Sequence, residues 1–173
     1  MLLLLHLLAA AASNAETPQA VATAFYRVHQ QSRQDGVPDA RLLARYAPYL
    51  SPELAHQLAD GADAERRYAK SNADSPPLVE GDLFSSNFEG VTAFQVGVCD
   101  IRAKATDCRV QLQYAPQKHR PQDRPVNWLD TLRLVKTPAG WRVDDIAYGA
   151  TWSFGNHGTL KATLRNVIAE APR

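Results

Sequence analysis

Two cysteines in 173 residues are too few for a disulfide-built scaffold, and at the spacing Cys99 to Cys108 they are too few for a metal centre. An excess of either charge is lacking as well. Nineteen Lys and Arg face 18 Asp and Glu, and the formal net charge of +1 gives no global attraction for nucleic acid or an anionic membrane. Past the first fifteen residues no apolar run approaches the roughly 20 residues needed to cross a bilayer. No Ser-His-Asp signature, HExxH, Gly-rich phosphate loop or His/Cys metal cluster occurs, so neither a motif-defined chemistry nor a metal or cofactor is expected. Repeats and low-complexity tracts are missing too.

What is present begins with MLLLLHLLAAAASNA, an apolar run ending in the small residues Ser13, Asn14 and Ala15. This pattern predicts a signal peptide over residues 1–15, cleaved after Ala15; a buried N-terminal helix is the alternative. Removing it leaves 173 − 15 = 158 residues, 16–173, enough for one domain with a substantial core. No cysteine follows the cleavage site, so no lipid anchor is expected, and the mature chain is expected in the periplasm or outside the cell.

Thr17-Pro18 predicts a helix start, with a capping oxygen followed by a proline whose missing N–H costs nothing there. Val21, Phe25 and Val28 follow at helical spacing. Asp35 to Pro38 breaks this helix, Asp39 caps a second one carrying Leu42, Leu43 and Tyr46, and Pro48 stops it. Ser51-Pro52-Glu53 repeats the cap-and-proline start for a helix that buries Leu54 and Leu58 and runs through Tyr68. Asp74 to Pro77 is a breaker, and Leu78 to Phe88 reads as an irregular segment with one short strand.

Strand periodicity starts at Thr92, with Phe94, Val96 and Val98 on one face and a return arm placing Cys108, Val110, Leu112 and Tyr114 together. A turn near Ala103 to Ala105 puts Cys99 opposite Cys108, and an oxidising compartment makes a disulfide between them the expected pairing. A second hairpin runs from Asn127 to Gly149. Trp128, Leu132 and Leu134 share one face of its first arm, and Pro138 and Gly140 make the turn. Trp141 and Val143 then fall opposite to Ile146 and Tyr148. Either a bulge near Asp144 and Asp145 realigns them or the two acids mark the exposed end of the strand. A closing helix carries Leu160, Leu164, Val167 and Ile168. The expected fold is therefore α+β: N-terminal helices packed on a curved antiparallel sheet, with a C-terminal helix.

Helices, a breaker and then long hairpins is an order that resembles the nuclear transport factor two-like cone fold. From Pro18 to Ala169 the chain resembles a family of exported bacterial domains of unknown function built on that fold. The resemblance rests on Gly140, Trp141, Val143, Asp144, Asp145, Ile146 and Tyr148, on Gly81-Asp82-Leu83-Phe84, and on the C-terminal helix. It implies a cone whose mouth holds a small ligand or faces a protein. Related cones include enzymes, small-molecule binders and toxin-immunity proteins, and because the family has no agreed site to match against, the resemblance transfers no catalytic residue.

The residue types available for acid–base work are Asp82, Asp130, Asp144, Asp145, His56, Tyr46 and Tyr148. The plainer roles are that Asp144 and Asp145 cap N–H groups or pair with Arg133 or Arg142, and that His56 pairs with Asp60 on a helix surface. The basic stretch Lys118 to Arg124 reads as a solvated loop. In Trp152-Ser153-Phe154-Gly155-Asn156-His157 two large aromatics occupy a loop, where they either plug the interior or anchor a partner. The function expected is a non-enzymatic exported binding protein, of the inhibitor or immunity type, acting on a protein partner in the cell envelope. Its expected binding residues are Trp152, Phe154, His157, Tyr148 and Asp145. The alternatives are a small-ligand-binding module, with inward polar groups such as Tyr46, Asp130 or Tyr148, and an acid–base enzyme in a cone pocket.

Overall fold

The computed structural model describes residues 16–32, 35–116 and 124–172. The leader expected over residues 1–15 and most of the basic loop, residues 117–123, lie outside the described residues. The elements are α1 (Pro18–Ser32), α2 (Ala40–Tyr46), a 3-10 turn (Ala47–Tyr49), α3 (Pro52–Ser71), β1 (Ala93–Ile101), β2 (Ala105–Tyr114), β3 (Val126–Thr137), β4 (Gly140–Ala147) and α4 (Leu160–Glu170). The strands form one antiparallel sheet in the order β1-β2-β3-β4. Helix α1 packs on β1, β2 and β4, while α3 and α4 pack on each other and on β4.

The helix starts follow the local chemistry of the sequence. Oxygens of Thr17, Asp39 and Ser51 accept from the backbone N–H groups of Ala20, Leu42 and Leu54, each satisfying an otherwise orphaned donor in a first turn. Thr159 does the same for Ala162 at the start of α4. The buried stripe of α1 is Val21, Ala22, Phe25, Tyr26 and His29, at the spacing that puts one helix face toward the sheet. Residues 78–88 contain no strand, contrary to expectation, only an isolated bridge between Gly36 and Asp82.

Two bulges adjust the sheet. In β4 the register steps from Arg133 opposite Asp145 to Leu134 opposite Val143, so Asp144 is the extra residue. Trp141, Val143 and Ile146 are thereby all buried, which selects the bulge over the exposed strand end. In β1 the register steps between Val96 and Cys99. Phe94 and Val96 pack against the core as expected, but Val98 is turned outward by this second bulge, a departure from simple alternation. Cys99 and Cys108 are disulfide-bonded across β1 and β2. Trp141 lies in the core with the Lys136 ammonium 5.0 Å from its ring centroid. Trp141→Ala is expected to cost about 3–5 kcal/mol in chemical denaturation; a loss below about 1 kcal/mol would place the ring's contribution outside the core.

Candidate functional site

One irregular segment bonds to α1 and to the sheet within the core. Asp82, Leu83, Phe84, Ser85, Ser86 and Asn87 are consecutive, irregular and all buried. An irregular segment survives burial only if its backbone polar groups find partners. Here all six carbonyls do. Asn156 Nδ2 donates to the carbonyls of Asp82 (2.6 Å) and Ser85 (2.7 Å), and the Asn156 N–H to that of Ser86 (2.9 Å). The Tyr148 hydroxyl donates to Leu83 O (2.7 Å), the Tyr26 hydroxyl to Phe84 O (3.3 Å) and the Ser85 hydroxyl to Asn87 O (2.8 Å).

Two buried carboxylates fix this segment. Asp130, on the inward face of β3, accepts from Ser86 N (2.8 Å), Gly149 N (2.9 Å), Trp128 Nε1 (3.1 Å) and the Ser86 hydroxyl. Burial pushes the Asp130 carboxyl above its ordinary value, and these four donors oppose the rise without cancelling it. Asp82 accepts from Phe84 N (2.7 Å) and faces His29 Nε2 (2.7 Å), whose Nδ1 is 3.2 Å from the Tyr46 hydroxyl. Burial pushes the phenols of Tyr26, Tyr46 and Tyr148 upward, so each is held as a neutral hydroxyl. The Asp82–His29–Tyr46 line has the order of an activated hydroxyl, but all three residues are buried, and what it does in this fold is tie α1, α2 and the 82–87 segment together.

The expected binding residues divide between interior and surface. Asp145 is buried and accepts from the N–H groups of Ile146 (2.9 Å) and Lys161 (3.0 Å), with Arg133 3.9 Å away, so it holds the start of α4 on the sheet. Its neighbour Asp144 binds the Ser51 hydroxyl (2.6 Å) and the Lys161 ammonium (2.8 Å). Burial pulls that ammonium down, but its hydrogen bonds with Asp144 and Glu53 outweigh this and hold it above its usual value. Tyr148 is committed to the Leu83 carbonyl. His56 pairs with Asp60 at 3.4 Å on an exposed helix face, as expected.

Trp152 is half-buried, edge-on to Trp128 with ring centroids 5.8 Å apart, so it belongs to the interior. Phe154 is 77 % exposed and His157 is exposed. The loop carrying them is fixed by Asn156 and by Gly155, whose φ of +130° and whose approach to the Ser86 carbonyl (2.3 Å from an added Cβ) leave no room for a side chain. The inward-packing role expected of the loop is met by Trp152, while Phe154 projects into solvent.

His29 and Phe88 went unmarked in the sequence. Four residues beyond Phe25 on the α1 stripe, His29 carried the signal of a buried position. Phe88, 47 % exposed, lines an open cleft of about 740 Å³ with Asp35, Val37, Glu65, Glu80 and Glu89 among its walls. Two of those acids are engaged by backbone, Asp35 by Gly81 N and Glu65 by Leu78 N and Val79 N. Among the described residues no group of three or more His, Cys, Asp or Glu is placed to hold a metal ion, and no helix is long and apolar enough to cross a membrane. No protein-family model matches the chain, and a search of curated proteins finds no match to it.

Proposed function

We propose that this chain is a non-enzymatic binding domain of the cell envelope, of the inhibitor or immunity type, that contacts a protein partner through Phe154 and the loop around it. The observation that carries this reading is the pairing of a projecting aromatic with a loop whose backbone is already fixed by Asn156 and Gly155. A rigid exposed aromatic loses little conformational freedom on binding, and aromatic anchors of this kind dominate protein interfaces. The acid–base reading receives no such support, since Asp82, Asp130 and Tyr46 are sealed from solvent and spent on backbone and side-chain partners. The apolar leader and the Cys99–Cys108 bond support export to an oxidising compartment. The order of elements is what supports the nuclear transport factor two-like cone as the fold family.

Phe154→Ser is the informative variant, because Phe154 is exposed whereas Trp152 supports the interior. It is expected to leave stability within about 0.5 kcal/mol of wild type while abolishing capture of a partner from envelope extract. Capture that survives the substitution overturns the assignment of Phe154. The second reading, a small-ligand module, is favoured by the open cleft beside Phe88. A small molecule retained in native mass spectrometry, together with no Phe154-dependent capture, would move the function to that cleft.

A further inference from the structure

Strand β1 is held in two registers at once. From Ala93 opposite Gln113 to Val96 opposite Val110 it follows one, and from Cys99 opposite Cys108 to Ile101 opposite Thr106 it follows another, one residue out of step. Gly97 and Val98 therefore both face Arg109. The cost is visible at Val98, which is 81 % exposed, although Phe94, Val96 and Val98 alternate as residues of one buried face should. If the first register simply continued, Val98 would lie opposite Cys108, between the buried positions of Thr106 and Val110. The bond from Cys99 to Cys108 forbids that arrangement.

We propose that the Cys99–Cys108 disulfide is a register lock on β1, and that its reduction by a dithiol lets the C-terminal half of the strand slip by one residue, turning Val98 inward and Cys99 outward. The cost of the slip falls at the turn end of the strand. Ile101 is already 57 % exposed, and Asp100 lies at the strand end with a solvent-exposed side chain paired to Arg102. Losses at that end are the Thr106 hydroxyl bond to Asp100 O, the Arg102 N–H bond to Ala105 O that closes the turn, and the outward placement of Asp100, which the slip sets opposite the buried Thr106. Gly97 has no side chain to reposition.

The redox step balances as ordinary thiol–disulfide exchange. A thiolate of the reductant attacks Sγ of Cys99, which is 8 % exposed, rather than that of the fully buried Cys108. The S–S bond breaks and Cys108 leaves as a thiolate that takes up a proton. The second thiol of the reductant then displaces Cys99, so two electrons and two protons pass to the protein and the reductant ends as a disulfide.

The consequence falls on the free edge of the sheet. The far edge of β4 is occupied by bridges to Leu50 and Thr159, whereas β1 pairs only with β2 among the described residues. A bulged edge is a poor template for another strand, and an uninterrupted one is a good template. Oxidation thus guards this edge and reduction opens it.

NMR on the oxidised and dithiothreitol-reduced protein tests the proposal. Oxidised protein is expected to show an Hα–Hα contact between residues 99 and 108, and reduced protein to lose it and gain one between Val98 and Cys108. The V98C/C99S variant, which keeps Cys108, is expected to close an intramolecular disulfide and retain the fold, as judged by a mass lower by two hydrogens and wild-type dispersion of amide signals. Persistence of the 99–108 contact after reduction overturns the proposal. So does loss of all β1–β2 contacts, or failure of V98C/C99S to oxidise under conditions that close the wild-type bond.

Discussion

Asp130→Ala is expected to destabilise the fold by roughly 3–6 kcal/mol, because it strips the acceptor from Ser86 N, Gly149 N and Trp128 Nε1 inside the protein, and each buried donor left unmade costs about 1–3 kcal/mol. The Ser86 hydroxyl softens the loss, since it also accepts from Gly149 N (3.0 Å) and Ala150 N (3.2 Å). Urea denaturation measures the effect. A loss under about 1 kcal/mol would mean that water enters and replaces the carboxylate.

The same residue sets a pH dependence whose sign is fixed by burial. The folded-state carboxyl titrates above its ordinary value of 3.8, so the fold binds the protonated form better than the unfolded chain does. Its linkage contribution is fully present below 3.8 and is lost as pH rises through the folded value. Stability of wild type relative to Asp130→Asn, which does not titrate there, is therefore expected to fall across that window and then level off. A difference that rises with pH instead would show that the four donors outweigh desolvation.

Phe84→Ala is expected to be comparably severe, at about 3–5 kcal/mol. Phe84 is fully buried at the centre of an aromatic group, with ring centroids 4.9 Å from Tyr46, 5.2 Å from Phe25 and 5.7 Å from His29. Removing it leaves a cavity where α1 and α2 meet the 82–87 segment, and it forfeits edge-to-face contacts worth about 0.5–1.5 kcal/mol each. Phe84→Leu keeps most of the volume and is expected to cost under about 1.5 kcal/mol. Equal losses for the two substitutions in thermal or chemical denaturation would assign the effect to ring geometry rather than to the cavity.

Much of the fold is legible in the sequence because its signals are local. A cap is read from an oxygen-bearing residue and the N–H three residues on, as at Asp39 and Ser51. A strand face is read from alternation, as at Trp128, Leu132 and Leu134, and a short hairpin brings Cys99 opposite Cys108 by the length of its turn. Where alternation broke, at Asp144, the acids left two readings open, and only the packing of Ile146 chose between them.

The candidate site was less legible. Tyr148 and Asp145 have the residue types of a binding mouth, yet their partners are Leu83 O and the N–H of Lys161, so composition alone could not tell site from scaffold. Trp152 and Phe154 are two residues apart in one loop and take opposite roles, because Trp128 offers the first ring a buried edge while the second projects into solvent.

By itself the sequence determined the starts of the first three helices, the antiparallel hairpins, the disulfide pairing and the α+β class, since each depends on contacts within a few residues or on a periodicity. The tertiary structure alone decided that Asp82 to Asn87 is buried, that Val98 faces out and that Phe154 projects. A six-residue irregular segment carries no periodic signature, and five of its six carbonyls are satisfied by partners elsewhere in the chain. Asp130 lies 44 residues beyond Ser86, and Asn156 lies 74 residues beyond Asp82. Such long-range satisfaction of polar groups leaves no local trace, and so the burial of this segment is decided only by the folded chain.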